Sequence, residues 1–253
     1  MADPKKKYLR DFLNPLDRFC YLLWRASRSK IPTVVTLQDG KKLMIRPSPT
    51  IDLAAVYEIF IAQAYYKPPQ VPEFSPKFIV DLGANVGYSV THWTHTYPTA
   101  QLVAFEPHPL HLLMIYRHLE LNALLDRVRV VGSAVSNFNG ESFLTDDGLE
   151  SVVVDKYEPG RIPIKVRDFF TEIGSQTIDL LKIDIEGGEY SILKDQRFET
   201  LNVRMMVLEW HDTAEISNGR QWCSERLASL GFNVADSELR YANAGILWAW
   251  KDK

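Results

Sequence analysis

Cysteine is scarce: Cys20 and Cys223 are the only two in 253 residues. They are too few and too far apart for a disulfide scaffold or a tetrahedral zinc site, so a reducing, cytoplasmic setting is expected. Long apolar runs are missing as well. No stretch approaches the roughly 18–20 residues that cross a bilayer, and the N-terminus has neither the apolar core nor the cleavage site of a secretory signal. Charge of one sign does not dominate, since 29 Lys/Arg face 32 Asp/Glu for a net of -3. The chain therefore has no overall electrostatic reason to bind nucleic acid, and none is expected as a partner. Glycine (13) and proline (14) are not in excess and 46% of residues are hydrophobic, which excludes fibrous and disordered classes and allows a sizeable core.

The small net charge hides an asymmetry. Residues 1–30 carry eight Lys/Arg, including the run Lys5, Lys6, Lys7, against Asp3, Asp11 and Asp17, which gives +5 and leaves -8 for the rest. Within this segment Asn14 can cap a helix whose first turn suits Pro15. Leu16, Phe19, Cys20 and Leu23 then recur at helical spacing, with Arg18, Arg25 and Arg28 mostly off the stripe. Such a stripe packs on the main domain or a second copy, or lies on an anionic membrane surface at the inner face.

Three regions are expected: a basic amphipathic helix over 1–30, a small α+β cap over 31–76, and a large α/β domain over 77–253. The cap reads as a hairpin turning at Asp39-Gly40, then a helix over 51–63 and a Pro-rich linker over 67–76. Strands and helices then alternate as in a parallel sheet with crossover helices. Between 136 and 176 the helical signal lapses into short alternating runs that suggest extra antiparallel strands. The alternation resumes with I-D-L-L-K-I-D and V-R-M-M-V-L-E-W-H, a helix over 219–230, and closing strands near 232–236 and 245–250.

The most informative motif is V-D-L-G-A-N-V-G at 80–87, where a buried strand ends in Asp81 and a Gly loop opens a helix. Glycine permits a tight turn and close ligand approach, and the helix start offers unpaired N–H groups. A nicotinamide fingerprint, G-x-G-x-x-G, would need glycine at Asn85, so the loop suits an adenosyl ligand without phosphates. The next strand ends in Glu106, where a carboxylate can accept from both hydroxyls of a ribose.

V-D-L-G-A-N-V-G, A-F-E-P and L-L-K-I-D-I-E-G-G-E, in that order, resemble the FkbM family of S-adenosylmethionine-dependent methyltransferases. The likeness runs from about residue 40 through 210 and includes R-P-S-P-T-I-D. It implies a seven-stranded, Rossmann-like class I methyltransferase fold, and methyl transfer most often to a hydroxyl of a sugar, glycan or small secondary metabolite. It further implies that Gly83, Ala84, Asn85 and Gly87 line the methionine half of the cofactor, that Asp81 holds its amino group through the loop, and that Glu106 binds the ribose. Ser133 and Ala134 would border the adenine. Asn122 stands where a family Asn often does, or merely caps a helix.

Asp184, Glu186 and Glu189 follow the strand I-D-L-L-K-I-D and should face the same crevice. Two roles are open to them, as a general base or as ligands of a divalent metal, and a plainer reading has Glu186 and Glu189 only favour the positive end of the next helix. The strand M-M-V-L-E-W-H brings Glu209 and His211 to one face. Asp184, Glu186 and His211 are the expected catalytic residues, with His211 and Asp184 as the base, and Asp184 is also expected among the cofactor-binding residues. Asp184, Glu186, Glu209 and His211 are the weaker metal-ligand set. The pairs His92/His95 and His108/His111 lack a completing carboxylate or cysteine for zinc. Tyr65, Tyr66 and Tyr88 are core by default or sugar-stacking, and Asp52 and Tyr65 are candidates for a lid over the acceptor. The competing readings are a nucleic-acid N-methyltransferase, which lacks an N-P-P-Y type motif here, a nicotinamide oxidoreductase, and a non-catalytic methyltransferase-like binding module.

Overall fold

The computed structural model describes residues 9–48, 50–145, 152–154, 156–240 and 242–252. The lysine run 5–7 lies outside the described residues, as do Ser151 and Asp155 of the S-V-V-V-D run.

Helix α1 (Pro15–Ala26) starts as expected, with Asn14 Oδ1 accepting from Asp17 N at 2.9 Å. Its stripe faces the other way from the core-packed reading: Leu16, Phe19, Cys20 and Leu23 are exposed, and Tyr21 is the side chain that α1 buries. Three polar ties explain the choice. Asp17 Oδ2 accepts from Thr36 N at 2.8 Å, Asn14 N donates to Thr36 O, and Leu13 bridges to Leu37, so the Asp17–Tyr21 side must face the hairpin.

That hairpin, β1 (Thr33–Thr36) and β2 (Lys42–Ile45), is antiparallel and turns with Gly40 at φ +90°. Helix α2 (Asp52–Val56) runs on into a wider π turn, Tyr57–Ile61, and ends near Gln63 at φ +61°. Asp52 does not serve as a lid. It is fully buried and takes Arg46 Nη2 at 2.7 Å and Arg46 N at 2.7 Å, tying the end of β2 to α2.

The main sheet begins with β3 (Phe78–Leu82), α3 (Tyr88–Thr96), β4 (Gln101–Phe105), α4 (Pro109–Leu121) and β5 (Val128–Val131). A side sheet follows, formed by β6 (Ala134–Ser136), β7 (Gly140–Leu144), β8 (Val153–Val154) and β9 (Ile162–Asp168), ordered β6-β9-β7-β8. The pairs β7–β8 and β7–β9 are antiparallel as expected; β6 runs parallel to β9, and the short helix α5 (Phe169–Ile173) follows. The chain then returns with β10 (Leu180–Ile183), α6 (Glu189–Lys194), β11 (Met205–His211), α7 (Gly219–Ser229), β12 (Asn233–Arg240) and β13 (Ala244–Trp250).

These seven strands lie in the order β12-β13-β11-β10-β3-β4-β5, with β13 alone reversed. This is the class I, Rossmann-like methyltransferase sheet. Its central strands are apolar on both faces, as a sheet covered by helices on both sides requires. The order reverses between β10 and β3, so a crevice opens beyond the carboxyl ends of those two strands. Cap and sheet share one apolar cluster that joins Leu43, Ile45 and Val56 to Ile79, Ile115 and Trp248. Among the described residues no helix is long and apolar enough to cross a membrane.

Candidate active site

Two adjoining cavities open at that crevice. One, of about 930 Å³, is lined by Gly83, Asn85, Glu106, Ser133, Ala134 and Ile185, among others. The other, of about 650 Å³, is lined by Glu58, Tyr65, Lys182, Glu209, His211 and the inner side of α2. Asp184 and Glu186 line both.

In the larger cavity Glu106 accepts from Asn85 N at 2.9 Å and His108 N at 2.8 Å, with His111 Nδ1 at 3.3 Å. The carboxylate is thus fixed by the backbone on both sides and keeps acceptor capacity for a ligand. Asn85, at φ +48°, turns the loop so that its own N–H reaches Glu106. Asn85 Oδ1 and Ser133 Oγ are buried with no hydrogen-bond partner, which is costly unless a polar ligand answers them. These residues fit an adenosyl cofactor. Gly83 serves a second purpose besides ligand approach: at φ +81°, a Cβ there would lie 1.8 Å from the Asp184 carbonyl oxygen. The glycine lets the loop cross directly over the end of β10.

Asp81 lies beneath the loop, fully buried, and its partner is Lys182 in β10, with Nζ 3.1 Å from Asp81 Oδ1. The same ammonium donates to Gly83 O at 2.6 Å and sits 3.3 Å from Asp184 Oδ2. Burial disfavours the charge of Lys182, yet Asp184 and Asp81 outweigh it and raise its pKa above the ordinary lysine value. Sequence reasoning passed over Lys182. The signal was a cation inside L-L-K-I, an apolar strand with no solvent-facing side.

In the smaller cavity Tyr65 OH reaches Asp184 Oδ2 at 3.5 Å, and its ring stacks on Trp93 at 5.4 Å. Glu186 is held at φ +51°, ahead of Gly187 at +93°, a left-handed pair that turns the chain sharply after Asp184. Glu189, the first residue of α6, is fully buried. It accepts from Gly187 N at 2.9 Å, His211 N at 3.0 Å and His211 Nδ1 at 3.2 Å.

His211 is therefore oriented by Glu189, not paired with Asp184 as expected. Its Nε2 stands 3.5 Å from Glu186 and 3.9 Å from Glu209. Burial opposes its protonation, but the Glu189 hydrogen bond and the charges of Asp184, Glu189 and Glu186 lift its pKa to about 10. The direction of this shift favours the imidazolium, which weighs against His211 as the proton acceptor and leaves Asp184 as the other group of the expected base pair. Glu209 is the reverse case: burial first, then Asp184 and Glu58, raise its pKa and favour the protonated acid.

The donor atoms of Asp184, Glu186 and His211 lie within 4.8 Å of one another, the one such three-residue set among the described residues. The other histidines do different work. His92 is caged by Phe60, Tyr65, Tyr66 and Trp93; His95 bonds Thr91 O; His108 caps α4. His118 bonds Val86 O at 2.8 Å and accepts from Met44 N at 2.9 Å. Asn122, just past α4, bonds both Lys42 N and Lys42 O at 2.9 Å, so it straps the hairpin rather than touching the cradle. Tyr88 OH donates to Met44 O, while Tyr66 is largely exposed.

Comparison with known proteins agrees with the sheet. Residues 81–234 match the family described as Methyltransferase FkbM domain. Methyltransferase sdnD of Sordaria araneosa is 27% identical over 230 residues, covering 76% of this chain and 86% of that protein. 2-O-methyltransferase NoeI of Sinorhizobium fredii is 27% identical over 156 residues, covering 53% of this chain and 63% of that protein. A crystal structure of methyltransferase FkbM from Methylobacillus flagellatus superposes with a TM-score of 0.56 at 17% identity, over 75% of this chain and just under half (47%) of that one. The chain belongs to the FkbM methyltransferase family and is a methyltransferase.

Proposed function

We propose that the enzyme transfers a methyl group from S-adenosylmethionine to a hydroxyl oxygen of a sugar, a glycan or a small secondary metabolite. The observation that carries this reading is the meeting of the two cavities at Asp184 and Glu186. The larger one fits the cofactor, with Glu106 for the ribose, Ser133 and Ala134 beside the adenine, and the Gly83–Gly87 loop for the methionine half. Bound there, S-adenosylmethionine supplies a methyl group activated by its sulfonium.

The smaller cavity suits an acceptor with several hydroxyls. Glu58, Asp184 and Glu186 supply acceptors, and protonated Glu209 and His211 Nε2 supply donors, while Lys182 and Tyr65 hold Asp184 in place. Acids outnumber bases there, so an acceptor bearing phosphate or carboxylate would be repelled. A relative named as a 2-O-methyltransferase supports oxygen as the atom methylated.

With His211 protonated, Asp184 takes the hydroxyl proton. A carboxylate is weak as a base for an alcohol, but the hydroxyl becomes strongly acidic as its oxygen bonds to carbon, so proton transfer late in the displacement suffices. Lys182 and Tyr65 fix Asp184 Oδ2, and the cavity walls keep the acceptor oxygen in line.

The test is thermal unfolding with S-adenosylmethionine, S-adenosylhomocysteine, NAD or no ligand, each with magnesium or EDTA. At about 100 times its Kd a native-state ligand raises the midpoint by roughly 5–10 °C. Protection by the two adenosyl-sulfur ligands is expected, and protection by NAD alone would overturn the reading. The magnesium arm addresses the Asp184, Glu186 and His211 donor set. With a responsive polyol acceptor, Asp184→Asn should retain cofactor protection and lose about 100-fold or more in turnover.

A further inference from the structure

We infer that α1 docks flat on the surface of an anionic lipid bilayer. Its outer face presents Leu16 (72% exposed), Phe19 (61%), Leu22 and Leu23 (54%), with Ile31 (73%) just beyond its end. A contiguous apolar patch of this kind on one helix marks a contact surface, since scattered exposure would place these residues on several elements.

The helix is held so that this face stays outward. Tyr21 and Asp17 are engaged with the hairpin, and Trp24 Nε1 donates to Ile31 O at 2.7 Å, folding the following segment back beside the helix. Rotating the apolar stripe inward would break these ties and expose Tyr21.

Charge selects the occupant. Arg18, Arg25, Arg28 and Lys30 are all exposed beside the apolar face. Asp17, the one acid within α1, is turned inward onto Asn14 Nδ2 and Thr36 N. The first 30 residues carry +5 against -8 for the remainder. A two-fold pairing of this face with a second copy would bring two such arginine-rich rims together. An anionic lipid surface instead receives the apolar side chains among its acyl chains while the arginines extend to the headgroups. The inference is independent of what the enzyme methylates.

Flotation of the full chain with vesicles tests it, using phosphatidylcholine alone and phosphatidylcholine mixed with phosphatidylserine. Binding to the mixed vesicles should exceed binding to phosphatidylcholine by about tenfold or more and weaken with added salt. Phe19→Asp and the double variant Arg25→Glu/Arg28→Glu should each lose about tenfold of it with the melting midpoint unchanged, because these side chains are exposed. Absence of binding to the mixed vesicles, equal binding to both kinds, or undiminished binding of the variants would overturn the inference. So would a concentration-dependent dimer in sedimentation velocity that Phe19→Asp dissolves while vesicle binding is absent, which would assign the face to a second copy.

Discussion

Lys182 and Asp81 are direct neighbours across the β10–β3 pairing, with 3.1 Å between ammonium and carboxylate, both buried. The pair lies under the glycine loop, and Lys182 also grips the Gly83 carbonyl. Charge compensation inside the sheet and the shape of the glycine loop therefore depend on the same side chain.

Removing the cation should be expensive. Lys182→Met leaves Asp81 as an uncompensated buried charge, which costs about 3–5 kcal/mol. Adding Asp81→Asn to Lys182→Met should recover part of that loss. Denaturant unfolding of the two single variants and the double variant measures the coupling; additive losses would show that the pair does not act as a unit.

Glu106→Ala removes the carboxylate that organises Asn85 N and His108 N as well as the proposed ribose contact. Charge-assisted hydrogen bonds contribute about 1.5–3 kcal/mol, so affinity for S-adenosylhomocysteine should fall roughly 10- to 100-fold in titration calorimetry. Unchanged affinity would remove Glu106 from the cofactor site.

Glycine-to-alanine changes at two left-handed positions separate backbone strain from collision. Gly40→Ala meets nothing within 4 Å and should cost about 1–2 kcal/mol for its φ alone. Gly83→Ala adds a Cβ 1.8 Å from the Asp184 carbonyl and should cost far more, visible as a much lower unfolding midpoint. Equal losses at both sites would mean that the loop shifts freely off β10.

Two buried histidines make the fold sensitive to acid. Burial, then Lys41, pushes His92 down to about 3, and burial lowers His118 despite its hydrogen bond to Val86. Each binds a proton less readily when folded, so its contribution is complete above the ordinary value of 6.5 and is lost as pH falls below it. For His92 the cost is about 1.4 kcal/mol per pH unit below 6.5. His211 has the opposite sign: its contribution is complete below 6.5 and fades as pH rises toward about 10. Melting midpoints should therefore fall from about pH 7 to about pH 5, and less steeply in His92→Phe. A flat acid limb in the parent protein would contradict the neutral state assigned to the two histidines.

The sheet was legible because its apolar strands, Gly turns and terminal acids recur in order along the chain, and each signal is local. The Lys182–Asp81 pair was not, because it depends on which strands become neighbours: residues 101 apart meet only once β10 lies beside β3. His211 was placed in the right crevice, but the groups that raise its pKa were not legible. Its pKa is raised by Glu189, Asp184 and Glu186, which approach from the end of β10 and the start of α6, and pattern reading supplies no distances. The stripe on α1 was correctly periodic, but periodicity does not say which side of a helix the body takes. Polar ties from Asp17 and Asn14 decided that.

The bridge made by His118, between Met44 N in the hairpin and Val86 O in the glycine loop, bears on how this enzyme can be rebuilt. A designer who exchanges the first 76 residues for those of a relative, seeking a new acceptor, also replaces the strand on which the loop leans. Successful chimeras should carry a matched pair, the donor's β2 with the donor's α4, so that inheritance of specificity follows this contact rather than the Pro-rich seam between the segments.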